Sequence, residues 1–200
     1  MAGVQNGPRP DVGALVLAGG RSTRFGTDKL TVEVGGAPLL RHAIDAARAL
    51  AAYVVVVGPA PDDLPEGVVV TREDPPYGGP YAAVVAGLDA LDERATTVLV
   101  LAGDLVDPAP LLPRLLVALE GTDEKGRPAE AAVALDSESR RQPLLAAYRV
   151  DSLLGGISGV DAYHRAAYDL LDGLHVVSVE DVGRHSRDID VPEDLSSEIP

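Results

Sequence analysis

Short apolar runs alternate along the chain with segments in which apolar residues recur every three or four positions. The short runs are rich in β-branched residues and are bounded by glycine or proline, which is typical of buried strands. They lie at residues 14–17, 53–57, 68–70 and 97–101. The segments with helical spacing lie at residues 38–50, 80–91 and 109–119. Strands that alternate with helices in this way predict a parallel sheet with right-handed crossovers.

The pattern changes in the second half of the chain. Two apolar runs, at residues 131–135 and 144–148, flank a polar loop at 136–142, which predicts an antiparallel excursion from the sheet. A helix over 161–171 and a strand over 174–179 are expected next, and a last helix is expected to begin beside Pro192. The prediction is an α/β fold, a three-layer αβα sandwich around one mostly parallel sheet.

Residues 13–29 form the most informative segment of the chain. An apolar run ends at the pair Gly19-Gly20, and three cations, Arg21, Arg24 and Lys29, follow within nine residues. Glycines let the backbone approach a ligand and aim N–H groups at anionic oxygens. The segment therefore predicts a site for a polyphosphate, and an ordinary basic turn between strand and helix is the alternative.

Two common phosphate-binding motifs are excluded by spacing. The P-loop requires G-x-x-x-x-G-K-[ST], but Thr27 follows Gly26 and Leu30 follows Lys29. The dinucleotide fingerprint G-x-G-x-x-G fits no frame through the three glycines of this segment.

The sequence L-A-G-G-x-S-x-R-F-G-x-D-K at residues 17–29 resembles the signature of nucleotidyltransferases with a Rossmann-like, GT-A-like fold. Its Gly-Gly and Asp-Lys pairs most resemble the molybdenum cofactor guanylyltransferase (MobA) family. Further segments fit the same family in the same order, at residues 72–80, 101–105, 141–144 and 188–195. The resemblance implies one nucleotidyltransferase domain over residues 12–200, after a flexible arm at 1–11. Its nucleotide-binding part would span about residues 12–108, and its acceptor-binding part about 109–200.

The resemblance also implies an activity, which is transfer of GMP from GTP to the terminal phosphate of molybdopterin with release of pyrophosphate. A cytidylyltransferase for molybdopterin and an enzyme for another small phosphorylated acceptor are alternatives within the superfamily. A nucleotide-binding protein without catalytic activity is an alternative from a different class.

Residue roles follow from the same resemblance. Backbone groups of Leu17, Ala18 and Gly19 are expected to hold base and ribose, and Gly20 and Arg21 to approach the phosphates. Arg24 and Lys29 are expected to neutralise charge on the α-phosphoryl group and the leaving pyrophosphate. Asp74 is expected to contact the nucleotide, and Gly79 opens a helix whose N-terminus could face a phosphate.

Two aspartates are candidates for holding Mg²⁺. Asp104 follows the apolar run 97–101, and a carboxylate at the carboxyl end of a central strand lies where α/β sheets bind ligands. Mg²⁺ takes one or two protein carboxylates and completes its shell with water and phosphate oxygens. The alternative for Asp104 is a helix cap, a role that Asp107 fits better. Asp190 is a second candidate ligand, with a cap of the last helix as its alternative.

The acceptor is expected to meet Arg140, Arg141 and Gln142, because arginine forks and an amide suit a phosphate and a pterin. A solvated loop is the alternative at these positions. The sequence departs from the family pattern in two places. Ala102-Gly103 precedes Asp104 where the family often has Pro-Cys, and Val57-Gly58-Pro59 carries no asparagine for the base.

The net charge and the residue content limit which classes of molecule the protein is expected to bind. The net charge of −14 disfavours nucleic acid and anionic membrane surfaces as partners because like charges repel. GTP then needs local cations or a bridging divalent ion. Cysteine is absent, which excludes disulfides and thiolate zinc sites and fits the cytoplasm. Neither a membrane-spanning run nor a signal-peptide core is evident. A monomer is expected, with transient contacts to molybdoenzymes or other proteins of cofactor biosynthesis implied by the resemblance.

Overall fold

A computed structural model of the chain describes residues 7–19 and 29–183. The strands are β1 (Arg9–Leu17), β2 (Glu33–Val34), β3 (Ala37–Pro38), β4 (Ala51–Val57), β5 (Val68–Thr71), β6 (Thr97–Ala102), β7 (Ala131–Leu135), β8 (Arg141–Arg149) and β9 (Val176–Glu180). The α-helices are α1 (Leu39–Arg48), α2 (Pro80–Asp89), α3 (Leu112–Leu119) and α4 (Val150–Ile157). Two 3₁₀ helices span Lys29–Thr31 and Ala167–Leu171.

Seven of these strands form one sheet in the order β5-β4-β1-β6-β8-β7-β9. Strand β8 runs antiparallel to both of its neighbours, and the remaining pairs in the sheet are parallel. The carboxyl ends of β1, β4, β5 and β6 therefore meet at one edge of the sheet, together with the start of β8. The predicted fold class, including the antiparallel excursion, is confirmed.

The strands alternate their side chains between two apolar cores, because successive residues of a strand point to opposite faces. In β1, Val16 faces the core beneath α1 and α3, whereas Leu15 and Leu17 face the core beneath α2 and α4. Both faces of the central strands are buried, which explains their continuous runs of valine and leucine.

The first strand is longer than the sequence predicted. It begins at Arg9, whose backbone N–H donates to the carbonyl oxygen of Leu50 at 2.8 Å and whose guanidinium pairs with Asp11 at 2.9 Å. Residues 9–11 therefore belong to the sheet and not to a flexible arm. Residues 1–6 and the helix expected beside Pro192 lie outside the described residues.

The helix predicted over 161–171 is wrong. The carboxylate of Asp161 accepts a hydrogen bond from the Tyr163 N–H at 3.0 Å, and His164 adopts a left-handed φ of 59°. Both features belong to a turn, and a 3₁₀ helix forms only from Ala167. The helix of this region is α4, which the pattern did not indicate because Gly155 and Gly156 lower its helix propensity.

Within residues 7–19 and 29–183 no helix is long and apolar enough to cross a membrane.

Candidate active site

The carboxyl ends of three neighbouring strands are joined by backbone hydrogen bonds at one edge of the sheet. The Ala18 N–H, just beyond β1, donates to the carbonyl oxygen of Val57 at the end of β4 at 2.8 Å. On the other side of β1, the Gly103 N–H donates to the carbonyl oxygen of Leu17 at 3.0 Å. The glycine-rich segment after β1 and the aspartate after β6 are therefore held next to each other.

Gly58 approaches the start of the glycine-rich segment closely. Its φ is 123°, and a Cβ built on it would lie 2.8 Å from the backbone nitrogen of Gly19 and 2.9 Å from the carbonyl carbon of Ala18. Only glycine accommodates both the positive φ and this approach. Gly58 is thus a candidate site residue that the sequence analysis did not predict. It belongs to the Val57-Gly58-Pro59 segment, which lacks the asparagine that the family uses to hold the base.

The first three predicted nucleotide-binding residues differ in what they offer a ligand. Leu17 and Ala18 are buried, and their backbone groups bond to the neighbouring strand ends. Gly19 is exposed, and a Cβ at its position would meet no atom of the described residues within 4 Å. Leu17 and Ala18 therefore form a buried floor at this edge of the sheet, and within residues 7–19 and 29–183 nothing packs on the Cβ position of Gly19.

Asp104 lies two residues beyond β6 and is half-buried. Gly103 sets its position, since a Cβ there would lie 2.9 Å from the Leu17 carbonyl oxygen. Helix α3 begins at Leu112 without a side-chain cap, so neither Asp104 nor Asp107 caps it, and the predicted start near residue 109 is too early. The helix-cap alternative for Asp104 and the cap role for Asp107 are both wrong.

Part of the predicted phosphate loop and one predicted metal ligand belong to the residues that the structure does not describe. Gly20, Arg21, Arg24 and Asp190 lie outside the described residues, and so does the side chain of Lys29. The backbone of Lys29 begins the 3₁₀ helix that leads towards α1. Among residues 7–19 and 29–183, no three His, Asp or Glu side chains come together as a metal cluster.

The turn between β5 and α2 carries the next predicted residues. Asp74 is exposed, whereas its neighbour Glu73 is buried and accepts a hydrogen bond from the Tyr77 N–H at 3.0 Å. Gly79 has a φ of 94° and precedes α2, which has no side-chain cap. Glu73 thus shapes the turn, and Asp74 is left at its surface.

The three predicted acceptor residues already have protein partners, and two of them lie in a strand. Arg141 and Gln142 begin β8, so their predicted placement in a loop is wrong. The carboxylate of Asp136 accepts hydrogen bonds from the Arg140 guanidinium at 2.8 Å and from the Gln142 amide at 2.9 Å. Arg141 donates to the Ser178 hydroxyl at 3.4 Å.

Asp136 is the centre of this turn. The backbone N–H of Arg140 donates to its carboxylate and, with the Arg140 guanidinium, lowers the pKa of Asp136 although its desolvation acts in the opposite direction. Asp136 correspondingly raises the pKa of Arg140. Arg140 and Gln142 therefore lie at the carboxyl edge of the sheet, where their side chains stabilise a turn.

A cleft with a volume of about 320 Å³ opens beside this edge. It lies between the first 3₁₀ helix, α1 and the loop after β4, and its lining includes Leu30, Leu40, Ile44, Pro59 and Leu64. Most of these side chains are apolar, so the cleft suits a flat or aliphatic group better than a phosphate.

Comparisons with known proteins show the family and the fold of the chain. A family model described as the MobA-like NTP transferase domain matches residues 14–175. A molybdenum cofactor guanylyltransferase from Cupriavidus taiwanensis is 33% identical over 191 residues, covering 82% of this chain and 88% of that protein. The molybdopterin-guanine dinucleotide biosynthesis protein A of Archaeoglobus fulgidus has the same fold, with a TM-score of 0.65 and 22% identity over 93% of this chain and 96% of that one. A nucleotidyl transferase from Methanothermobacter gives a TM-score of 0.68 at 20% identity, covering 93% of this chain and 94% of that one.

Proposed function

Because the chain belongs to the MobA-like NTP transferase family and is a nucleotidyltransferase, we propose that it transfers GMP from GTP to the terminal phosphate of molybdopterin. Pyrophosphate is the second product. The relatives named as molybdenum cofactor guanylyltransferases support the choice of nucleotide and acceptor.

One observation connects the proposed reaction with particular residues. The hydrogen bond from the Gly103 N–H to the Leu17 carbonyl oxygen places the exposed backbone of Gly19 and the carboxylate of Asp104 after adjacent strands of the sheet. A triphosphate seated over Gly19 would thus lie beside Asp104. Strand ends at this edge are where open α/β sheets bind ligands.

Asp104 fits a Mg²⁺ ion, since the ion accepts one or two protein carboxylates and fills its remaining positions with water and phosphate oxygens. Asp190 is proposed as the second carboxylate. When bound, the ion would neutralise charge on the phosphates of the nucleotide.

The chain's own residues position the reactants and balance their charge. An oxygen of the acceptor phosphate forms a new bond to the α-phosphorus of GTP, and the bond to the oxygen bridging the α- and β-phosphates breaks. That oxygen leaves with pyrophosphate. Arg24 and Lys29 are proposed to stabilise the negative charge that develops on the α-phosphoryl group and on the leaving pyrophosphate. Positioning of the reactants and stabilisation of this charge are the main contributions of a protein to such a transfer. The second pKa of a phosphate monoester is about 6, so the attacking oxygen is already anionic at neutral pH.

Pyrophosphate release with molybdopterin and Mg²⁺ tests the proposal when GTP, CTP, ATP and UTP are offered in parallel. We expect release with GTP alone. Release with CTP alone would contradict guanylyl transfer while keeping the reaction type, and GTP binding without any release would contradict catalysis.

Two variants test the residue roles. Asp104→Asn should abolish pyrophosphate release, whereas the matched Asp107→Asn should keep it, because Asp107 lies three residues further from the strand end. Lys29→Ala should lower kcat by about 10²-fold, as the loss of other electrostatic groups does. A near-normal rate for Asp104→Asn, or a change confined to KM for Lys29→Ala, would contradict these assignments.

A further inference from the structure

Aromatic side chains gather in two segments near the carboxyl edge of the sheet. The chain has six tyrosines and no tryptophan, and Tyr77, Tyr81, Tyr163 and Tyr168 lie in these two segments. Tyr81 is buried, but Tyr77, Tyr163 and Tyr168 are 52%, 44% and 51% exposed. Exposed aromatic surface in a chain so poor in aromatic residues indicates a contact surface for another molecule.

The two segments pack against each other at Gly78. The His164 N–H donates to the Gly78 carbonyl oxygen at 2.7 Å, and a Cβ on Gly78 would lie 3.2 Å from the Tyr163 ring. The rings of Tyr163 and His164 are 4.0 Å apart at 52°. The Arg165 guanidinium lies 5.2 Å from the centre of the Tyr81 ring and fastens this segment to α2.

The backbone of this region is held in an unfavourable conformation. Tyr77 and His164 have left-handed φ angles of 65° and 59°. A left-handed conformation is unfavourable for a residue with a Cβ, and such strain clusters at ligand-binding sites. Glu73 and the bond from His164 to Gly78 keep both rings at the surface in spite of this cost.

The surroundings of the exposed rings favour a ligand that is flat and also anionic. The Arg72 guanidinium lies 5.1 Å from the centre of the Tyr77 ring. Arg72 thus brings a positive charge to the exposed Tyr77 ring in a chain with a net charge of −14.

We infer that Tyr77 and Tyr163, with His164, form a stacking surface for the planar heterocyclic ring of the acceptor. This inference rests on the proposed function, which makes the acceptor a pterin. Tyr163 belongs to the second half of the chain, and the 3₁₀ helix that follows it contacts both α2 and β8. Arg140 and Gln142 are engaged by Asp136, so this surface takes the place of the recognition expected from those two side chains.

Fluorescence titration of 6-hydroxymethylpterin with the full chain tests the inference without turnover. Stacking of a base on an aromatic ring contributes about 1–3 kcal/mol, so Tyr163→Leu should weaken pterin binding by about 10-fold. Tyr163→Phe should bind as the wild type does, because it keeps the ring. Tyr77→Leu is the second variant and should also weaken binding.

Tyr53→Leu is the matched control. Tyr53 also lies beside an arginine, Arg94, at 4.9 Å, but it is near the start of β4, at the opposite edge of the sheet. This variant should leave pterin affinity unchanged. Thermal unfolding of each variant shows that the exposed substitutions keep the fold.

A parallel titration with GTP shows whether the surface binds the pterin ring or guanine. The two rings are similar in planar shape and in the hydrogen-bonding groups along their edges. Unchanged GTP affinity in Tyr163→Leu is expected, and an equal loss for both ligands would overturn the assignment to the acceptor. Unchanged pterin affinity in Tyr163→Leu, or no pterin binding by the wild type, would overturn the stacking surface. Pterin binding that depends on Tyr163, in a protein that releases no pyrophosphate, would support this surface and contradict the proposed function.

Discussion

Replacing Gly58 by alanine tests whether the close approach of two strand ends shapes the nucleotide site. Two effects act at this position. The φ of 123° is unfavourable for any residue with a Cβ, and the new Cβ would lie 2.8 Å from the Gly19 nitrogen. The two atoms nearest to the new Cβ, the Gly19 nitrogen and the Ala18 carbonyl carbon, both belong to the backbone. The clash is therefore relieved only if the glycine-rich segment moves.

Gly67 provides a control that separates the two effects. Its φ is 84°, but a Cβ there would meet no atom within 4 Å. Gly67→Ala therefore carries the conformational cost alone, about 1–2 kcal/mol. Gly58→Ala adds overpacking of about 1–3 kcal/mol, so its free energy of unfolding should fall by about 2 kcal/mol more than that of Gly67→Ala.

Urea denaturation measures both losses, and thermal unfolding provides a second reading at about 2–4 °C per kcal/mol for a domain of this size. GTP binding should weaken in Gly58→Ala and stay unchanged in Gly67→Ala. Equal losses of stability in the two variants, together with normal GTP binding by Gly58→Ala, would refute the reasoning.

Three further substitutions have clear expectations. Gly19→Ala should leave stability nearly unchanged, since no atom of the described part of the chain lies within 4 Å of the added Cβ, but should weaken GTP binding measured by calorimetry. Gly103→Ala should lower the free energy of unfolding by about 1–3 kcal/mol through contact with the Leu17 oxygen, whereas Gly155→Ala in α4 should not, as urea denaturation would measure. The pKa of Asp136 is lowered in the folded chain, so its stabilising effect is present above the ordinary value of 3.8 and is lost as the pH falls further. In Asp136→Asn the free energy of unfolding should consequently fall less steeply as the pH is lowered below 3.8 than it does in the wild type. An unchanged pH profile of urea denaturation would contradict this.

The sequence by itself determined most of the sheet. The valine and leucine runs of β1, β4 and β6 are recognisable because both faces of a central strand are buried, so no polar residue interrupts them. The glycine-rich segment and Asp104 were recognisable for a related reason. Both follow such strands directly, at the edge where α/β sheets bind ligands, and they are therefore predicted from the sequence as site residues.

Local pattern was insufficient where a polar side chain or a turn competes with a helix. Residues 161–171 have helical spacing, and Arg165 and Asp169 even form a pair four residues apart. The turn at Asp161 and the left-handed His164 nevertheless exclude a helix there. The opposite holds for α4, where Leu153 is buried in the core and packing outweighs the two glycines.

Tertiary structure alone decided how the site is assembled. Gly58 and Gly103 look unremarkable along the chain, and their role depends on backbone atoms of Ala18, Gly19 and Leu17 that come from another strand. The engagement of Arg140 and Gln142 by Asp136, and the meeting of two aromatic segments at Gly78, are likewise contacts between residues that share no repeating pattern. Periodicity reports which face of an element is buried, whereas close approach and side-chain pairing depend on distances between elements, which no single segment encodes.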